Sequence, residues 1–128
     1  MTAKNAAFLI VDDEPDMCWA LIHILEKKGF MTRKAHSGSE ALRLMARYRF
    51  QMAFLDAKLP DVEGLEMAGQ IRALDPEIQI VIISGYFYDD DIEIQRALDE
   101  GLISGFISKP FSHEAVYRAI PDSFVNEL

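Results

Sequence analysis

The sequence predicts an α/β protein built on a doubly wound sheet of five parallel strands, with helices on both faces. Strand-like and helix-like patterns alternate five times along the chain, which is typical of βα units. Runs such as residues 7–11 and 80–83 are continuously hydrophobic, as expected of parallel strands that helices cover on both sides. Right-handed crossovers between such strands favour the flavodoxin-like strand order 2-1-3-4-5.

The first half of the chain predicts two strands that alternate with two helices. Residues 7–11 form a buried strand, and Pro15 with acidic neighbours is typical of a helix start. The helix keeps a 3.6-residue apolar period and ends at Gly29, a residue suited to a left-handed cap. Residues 30–36 are short and polar, so we expect a strand at the sheet edge. Ser37 opens a second helix with capping-box spacing to Glu40.

The second half predicts three more strands, each followed by a helix. Asp75-Pro76 stops one helix, and Pro121 is expected to end or kink the last one. The predicted elements are a strand ending at Asp56, a helix over 64–74, a strand ending at Ser84, a helix over 91–100, a strand ending at Lys109, and a helix from the cap Ser112 through Ile120.

Polar residues stand where four of the apolar runs end. Asp12 and Asp13 follow the first run, Asp56 the third, Ser84 the fourth and Lys109 the fifth. In open α/β sheets, ligands bind beyond the carboxyl ends of the strands, at the switch point between neighbouring strands. The predicted order places the first and third strands side by side there, so we expect these five side chains to converge.

Three converging carboxylates repel one another unless a cation neutralises them. Mg²⁺ prefers carboxylate oxygens, and Lys109 adds one further positive charge. Phosphoryl transfer depends mainly on positioning and charge stabilisation, and a carboxylate can be the accepting nucleophile. The pattern therefore predicts a phosphoryl-transfer site, with Asp56 as acceptor, Asp12 and Asp13 as a metal seat, and Ser84 as a hydroxyl donor.

These motifs together resemble the signature of bacterial response-regulator receiver domains of two-component signalling, the CheY-like family. The resemblance runs in order along nearly the whole chain, through 12–15 (Asp-Asp-Glu-Pro), 55–64 with Asp56, 84–86 and 109–111 (Lys-Pro-Phe). It implies that a sensor histidine kinase or phosphotransfer protein donates a phosphoryl group to Asp56. The protein would then be a phosphorylation switch rather than a turnover enzyme, which at most catalyses its own phosphorylation and dephosphorylation.

The resemblance also implies roles for individual residues. Mg²⁺ (or Mn²⁺) would be bound by Asp13, Asp56 and the backbone carbonyl of Lys58, in an acidic pocket shared with Asp12. Ser84 would be the switch hydroxyl and Phe106 the aromatic switch, the Lys109–Pro110 bond would be cis, and Lys58 and Tyr86 would lie near the water that hydrolyses the acyl phosphate. Trp19 and Ile22 fall off the apolar stripe of the first helix, so we expect both to be exposed. Kinase dimerisation helices dock on this helix in the family, which makes the two residues candidates for docking.

Two features depart from the family pattern. The segment between Ser84 and Lys109 is longer than usual, with 86–91 filling the added loop, so the relay of phosphorylation to an output surface is open. Pro121 shortens the last helix, which disfavours a dimer built on the fourth and fifth helices. We expect a monomer or weak homodimer, with an unknown downstream target or effector domain.

Composition narrows the function further. The 128 residues suit one domain spanning 1–128, and 13 Lys and Arg against 21 Asp and Glu give a net charge of −8, which disfavours direct nucleic-acid binding. The single cysteine, Cys18, excludes a disulfide framework, and the three histidines lack metal-ligand spacing and are expected on the solvated surface. No leader or membrane-spanning pattern is present, so we expect a cytoplasmic protein with no membrane partner.

Alternative functions remain open at this stage. An aspartate-nucleophile phosphatase is disfavoured, because such enzymes usually separate their paired aspartates by one residue and carry a cap domain. A receiver-like interaction module that works without phosphorylation is the stronger alternative. A flavin or nucleotide site is remoter, because no glycine-rich loop follows the first strand.

Overall fold

The computed structural model describes residues 7–85 and 91–125. Five parallel strands form one sheet in the predicted order, β2-β1-β3-β4-β5. The strands are β1 (Ala7–Val11), β2 (Met31–Ala35), β3 (Met52–Asp56), β4 (Gln79–Ser84) and β5 (Gly105–Ser108). The edge position predicted for the second strand is confirmed, and β1 and β3 lie side by side.

Helices connect these strands and cover both faces of the sheet. Among the described residues they are α1 (Pro15–Lys27), α2 (Gly38–Arg47), α3 (Gly64–Leu74), α4 (Ile92–Asp99), α5 (His113–Ala119) and α6 (Asp122–Val125). Ser37 caps α2 by accepting from the Glu40 amide, as its sequence spacing predicts. None of the described helices has both the length and the apolar character that crossing a membrane requires.

Two apolar clusters sandwich the sheet. One face packs against α2, α3 and α4 through residues such as Leu55 and Ile71, and the other packs against α1 and α5 through residues such as Phe54 and Leu21. Neighbouring residues of β3 point to opposite faces of the sheet, and helices cover both faces. The strand is therefore buried along its whole length. This burial fixes the strand register and thereby the position of Asp56 at the end of β3.

The C-terminal region differs from the prediction in two respects. Helix α5 ends at Ala119 rather than continuing through Ile120, whose extended backbone forms the C-cap before Pro121. The short helix α6 then follows, and the ring of Phe124 packs 5.9 Å from that of Phe8. A proline fixes its own backbone and lacks an N–H donor, so it ends one helix and can begin another turn.

Candidate functional site

The predicted site residues converge beyond the carboxyl ends of β1, β3, β4 and β5. Asp12, Asp13 and Asp56 each offer a carboxylate oxygen, and these three oxygens lie within 4.8 Å of one another. Asp12 and Asp56 are 2% and 5% exposed, whereas Asp13 is exposed to solvent. A cleft of about 610 Å³ opens beside them and is also lined by Lys58 and Lys109.

Lys109 forms the centre of an ion-pair network. Its Nζ lies 3.2 Å from Asp12 Oδ2, 3.1 Å from Glu14 Oε1 and 3.4 Å from Asp56 Oδ1. Its backbone amide donates to the Ser84 carbonyl at 2.8 Å, which ties the end of β5 to the end of β4. The Lys109–Pro110 peptide bond is cis, the isomer that the family resemblance implies.

Burial and charge shift the pKa values of these groups. Loss of solvent raises the pKa of both Asp12 and Asp56, and the neighbouring Asp12 carboxylate raises that of Asp56 further. The Lys109 ammonium and backbone N–H donors oppose these shifts without cancelling them. Burial also disfavours the charged form of Lys109, yet its hydrogen bond to Glu14 and the charges of Asp12 and Asp56 raise its pKa to about 12.

The chemistry of this donor set fits a hard divalent cation. The three clustered groups offer only carboxylate oxygens, which Mg²⁺ and Mn²⁺ accept readily. Two of these groups are buried carboxylates whose raised pKa values show that ionisation is costly without added positive charge. A divalent cation beside Asp12, Asp13 and Asp56 would relieve that cost.

Gly64 allows the loop after β3 to fold tightly against the site. A Cβ atom at this position would lie 2.5 Å from the backbone oxygen of Asp56 and 2.8 Å from Cα of Ala57. The Gly64 amide instead donates to the Ala57 carbonyl at 2.8 Å. Because only a residue without Cβ permits this approach, Gly64 helps to hold the start of α3 beneath Asp56.

The same loop is fastened to α2 by Asp61. Its carboxylate accepts the amides of Gly38 at 2.8 Å and Ser39 at 3.0 Å, which are two of the unpaired donors at the N-terminus of α2. These hydrogen bonds lower the pKa of Asp61, and the one from Gly38 has the larger effect. The chain segment between Asp56 and α3 is therefore held at both ends.

Sequence reasoning missed one group of contacts behind the acidic cluster. The Asp12 carbonyl accepts a hydrogen bond from Cys18 Sγ at 3.2 Å and another from His36 Nδ1 at 3.0 Å. His36 is therefore partly buried and bonded, which corrects its predicted place on the solvated surface. Burial, followed by the Asp12 charge, raises the pKa of Cys18 to about 11, so the thiol serves as a donor.

Glu14 is a second residue that the prediction overlooked. It was assigned to the start of a helix, and it does provide the N-cap position of α1, but it also pairs with Lys109. Its position directly after Asp12 and Asp13 is a signal that could have placed it at the same edge.

The two candidate docking residues differ in exposure. Trp19 is 69% exposed on α1. Its ring stacks on that of His23, with centroids 5.3 Å apart, because residues four positions apart are neighbours on a helix surface. Ile22 is only partly exposed and packs against the apolar cluster that includes α1 and α5, so the prediction that it lies exposed beside Trp19 is wrong. Ile22 follows Leu21 and stands three positions before Leu25, so it borders the buried stripe of α1.

The candidate switch residues lie on one face of the sheet. Ser84 is fully buried at the end of β4, and Phe106 on β5 pairs with Ile82, two residues before Ser84. Side chains two residues apart on a strand share a face, and both Phe106 and Ile82 pack in the cluster that includes α4. Tyr86 and residues 87–90 of the lengthened loop lie outside the described residues.

Comparison with known proteins identifies the family. The family model for the response regulator receiver domain matches residues 8–121. Sporulation initiation phosphotransferase F of Bacillus subtilis is 29% identical over 116 residues, which cover 91% of each chain. Transcriptional regulatory protein GlrR of Escherichia coli is 28% identical over 96% of this chain, which spans only 27% of the length of GlrR.

A solved structure supports the same assignment. A CheY-like receiver domain protein from Methanospirillum hungatei superimposes with a TM-score of 0.84 at 25% identity, covering 96% of both chains. The sequence match extends across the elements that carry the acidic cluster, Ser84 and Lys109. The chain therefore belongs to the response regulator receiver domains of two-component systems, a family in which phosphorylation on aspartate is typical.

Proposed function

We propose that Asp56 is the residue of this receiver domain that accepts the phosphoryl group. The observation that carries the proposal is its position, because Asp56 ends the central strand β3, faces the cleft and lies 3.4 Å from Lys109. Asp12 and Asp13 share the cluster, but both stand on the turn after β1, where they are placed to hold a cation.

The donor is a phosphohistidine of a sensor histidine kinase or of a phosphotransfer protein. A carboxylate oxygen of Asp56 attacks phosphorus, the P–N bond breaks, and the imidazole leaves and takes up a proton. Lys109 balances the charge of the phosphoryl oxygens, and the Ser84 hydroxyl donates to one of them. Water later hydrolyses the acyl phosphate, which releases inorganic phosphate and returns Asp56 to its free form in the cleft that Lys58 also lines.

Mg²⁺ or Mn²⁺ is the proposed cofactor. Asp12, Asp13 and Asp56 would hold it together with the backbone carbonyl of Lys58, which lines the same cleft. When bound, the cation would neutralise the clustered carboxylates and stabilise negative charge on the phosphoryl oxygens. The protein acts in this proposal as a cytoplasmic switch and catalyses only its own phosphorylation and dephosphorylation.

Ser84 and Phe106 are the proposed conformational relay. Their common face of the sheet, packed against α4, supports a coupled change in which the hydroxyl turns to the phosphoryl group and the ring repacks. Trp19 is the proposed kinase contact on α1, and partly buried Ile22 would border it. Trp19→Ser is expected to slow transfer from the cognate kinase while leaving labelling by acetyl phosphate unchanged.

Intact mass spectrometry tests the phosphoacceptor directly. The full chain is incubated with acetyl phosphate, with and without Mg²⁺, beside Asp56→Asn and the matched control Asp99→Asn, an exposed carboxylate of α4. We expect one phosphoryl adduct in the wild type and in Asp99→Asn, dependent on Mg²⁺, and none in Asp56→Asn. An equal adduct in Asp56→Asn would place the acceptor elsewhere. No adduct in the wild type would favour the phosphorylation-independent interaction module.

A further inference from the structure

The positive charge of this acidic protein is concentrated in one segment. Residues 27–49 contain seven of the 13 Lys and Arg residues and a single acidic residue, Glu40, which gives the segment a net charge of +6. The rest of the chain carries six basic and 20 acidic residues, a net charge of −14. The segment forms the end of α1, the edge strand β2 and helix α2, so these basic residues lie on one side of the sheet.

The arginines of this region are exposed to solvent. Arg33, Arg43, Arg47 and Arg49 are all exposed, and within residues 7–85 and 91–125 none of them forms an ion pair. Arg43 and Arg47 stand four residues apart on α2, a spacing at which like charges repel. Apart from contacts with one aromatic ring, the described residues give these charges no compensating partner, which points to a use outside the folded chain.

Tyr48 holds two of these cations close together. The guanidinium of Arg33 stacks on its ring at 3.6 Å, and that of Arg47 lies 5.8 Å from the same ring. Attraction to the face of the ring offsets part of the repulsion between the two cations. The side chains are thereby held in place beside α2, rather than spread freely into solvent.

An apolar groove lies beside these cations, between the ends of α2 and α3. The groove encloses about 780 Å³ and is lined by Leu42, Met45, Phe50 and Leu74, with the cations Arg47 and Arg49. Leu74 is 62% exposed, so a large apolar side chain faces solvent at its mouth. We call this surface the basic groove; it lies at the amino ends of β3 and β4, opposite the phosphorylation cleft.

We propose that the basic groove binds an acidic, apolar peptide segment of a partner protein. Large apolar side chains of the segment would enter between α2 and α3, and its Asp and Glu residues would face Arg47 and Arg49. Charge complementarity identifies the partner chemistry, because the groove combines apolar walls with cations that form no ion pair with any described carboxylate. The inference does not depend on Asp56 being the phosphoacceptor.

A peptide fits this surface better than a nucleic acid does. A polyphosphate chain would leave Leu42, Met45 and Leu74 without apolar partners and would pass Asp75, which also lines the groove. Strong binding of nucleic acid requires many phosphate contacts, and outside residues 27–49 the chain carries a net charge of −14. A short acidic peptide segment can contact these cations without passing over the acidic surface of the rest of the protein.

Selection from a random peptide library tests the proposal. Displayed peptides of about 16 residues, enough to cross a groove between two helices, are selected on the full chain at low ionic strength. We expect the selected peptides to be rich in Asp and Glu together with Leu, Phe or Met. Their affinity should fall about tenfold for Arg47→Gln/Arg49→Gln and remain within about twofold for Arg96→Gln/Arg118→Gln, which changes two exposed arginines elsewhere.

A second pair of variants tests the apolar part of the groove. Leu74→Ser is expected to weaken the same peptides severalfold, whereas Ile92→Ser, at a similarly exposed position on α4, should leave them unaffected. The absence of enriched peptides, or full affinity for Arg47→Gln/Arg49→Gln, would overturn the proposal. Tighter binding of a single-stranded oligonucleotide or of anionic lipid vesicles, lost in the same arginine variant, would replace the peptide with that class of partner.

Discussion

The two ends of the sheet differ in how their charged side chains are buried and paired. At the carboxyl ends of the strands, buried Asp12 and Asp56 lie within hydrogen-bonding or ion-pairing distance of Lys109. At the amino ends, Arg47 and Arg49 are exposed beside the basic groove, and within the described residues neither has a carboxylate partner. Buried charges must be paired inside the fold because removing an ion from water is costly unless a partner compensates, whereas exposed charges stay hydrated and remain available to a partner.

The largest effect expected from this contrast is that of Lys109→Gln. The substitution leaves Asp12 and Asp56 buried beside each other without their nearest cation, so we expect the free energy of unfolding to fall by about 3 kcal/mol in metal-free buffer. Urea titration measures the loss, and added Mg²⁺ should restore part of it. Arg118→Gln is the control, because its ion pair with Glu114 is exposed and should be worth less than about 1 kcal/mol.

A comparable loss in the two variants would contradict the contrast. It would mean that the Lys109 network is as weakly coupled to folding as an exposed pair, despite the burial of its carboxylates. A loss in Lys109→Gln that Mg²⁺ does not reduce at all would count against the cation fit at Asp12, Asp13 and Asp56.

The tight backbone packing at the carboxyl end provides the next effect. Gly64→Ala places a methyl group against backbone atoms of Asp56 and Ala57, so we expect a loss of about 2 kcal/mol. Gly69→Ala is the matched control on the same helix, because no heavy atom lies within 4 Å of its new Cβ. Alanine favours helix there, and a gain of about 0.5–1 kcal/mol is expected. Equal responses in denaturant titrations would show that the close approach at Gly64 carries no cost.

A smaller effect concerns pH in the absence of metal. The pKa of Asp56 is raised in the folded protein above its ordinary value of 3.8, so the folded state binds the proton more tightly than the unfolded state. Its contribution therefore favours folding at low pH and is lost as the pH rises from about 4 through the raised pKa. Asp56→Asn should flatten this decline and raise stability at pH 7 by about 1–2 kcal/mol.

Thermal unfolding across that pH range measures the effect. The variant Asp99→Asn, which changes an exposed carboxylate, should keep the decline of the wild type. A steeper decline in Asp56→Asn than in the wild type would reverse the sign and refute the pKa argument.

The site at the carboxyl end of the sheet was predicted well from the sequence, because strand patterns and topology position it. Contacts between side chains from distant segments were predicted poorly. Asp12, Asp56, Ser84 and Lys109 each follow an apolar run, so strand period and topology were enough to bring them together. His36 bonds to Asp12, 24 positions away, and no periodic pattern specifies that contact. Side-chain partners of this kind depend on three-dimensional packing rather than on spacing.

Helix faces were predicted less accurately for the same reason. The period of α1 identified Leu21 and Ile24 as core residues, but it placed Ile22 outside because the width of a buried face depends on packing that the period does not show. The short helix α6 was missed since Pro121 is an equally good signal for a helix end and for a new start. The family resemblance added expected roles for site residues, yet it gave no information on the basic groove.

The smallest expected effect is at the amino end of the sheet, where the arginines should add nothing to folding. Arg47→Gln/Arg49→Gln removes two exposed charges without breaking any ion pair of the described residues, and it relieves repulsion between Arg43 and Arg47. We expect the free energy of unfolding to stay within about 0.5 kcal/mol of the wild type, because the relieved repulsion and the lost contact of Arg47 with the Tyr48 ring are both small and opposite in sign. Urea titration beside Lys109→Gln provides the direct comparison. A loss above about 1 kcal/mol would show that these cations stabilise the fold itself. Their exposure would then be no evidence that they bind an acidic partner.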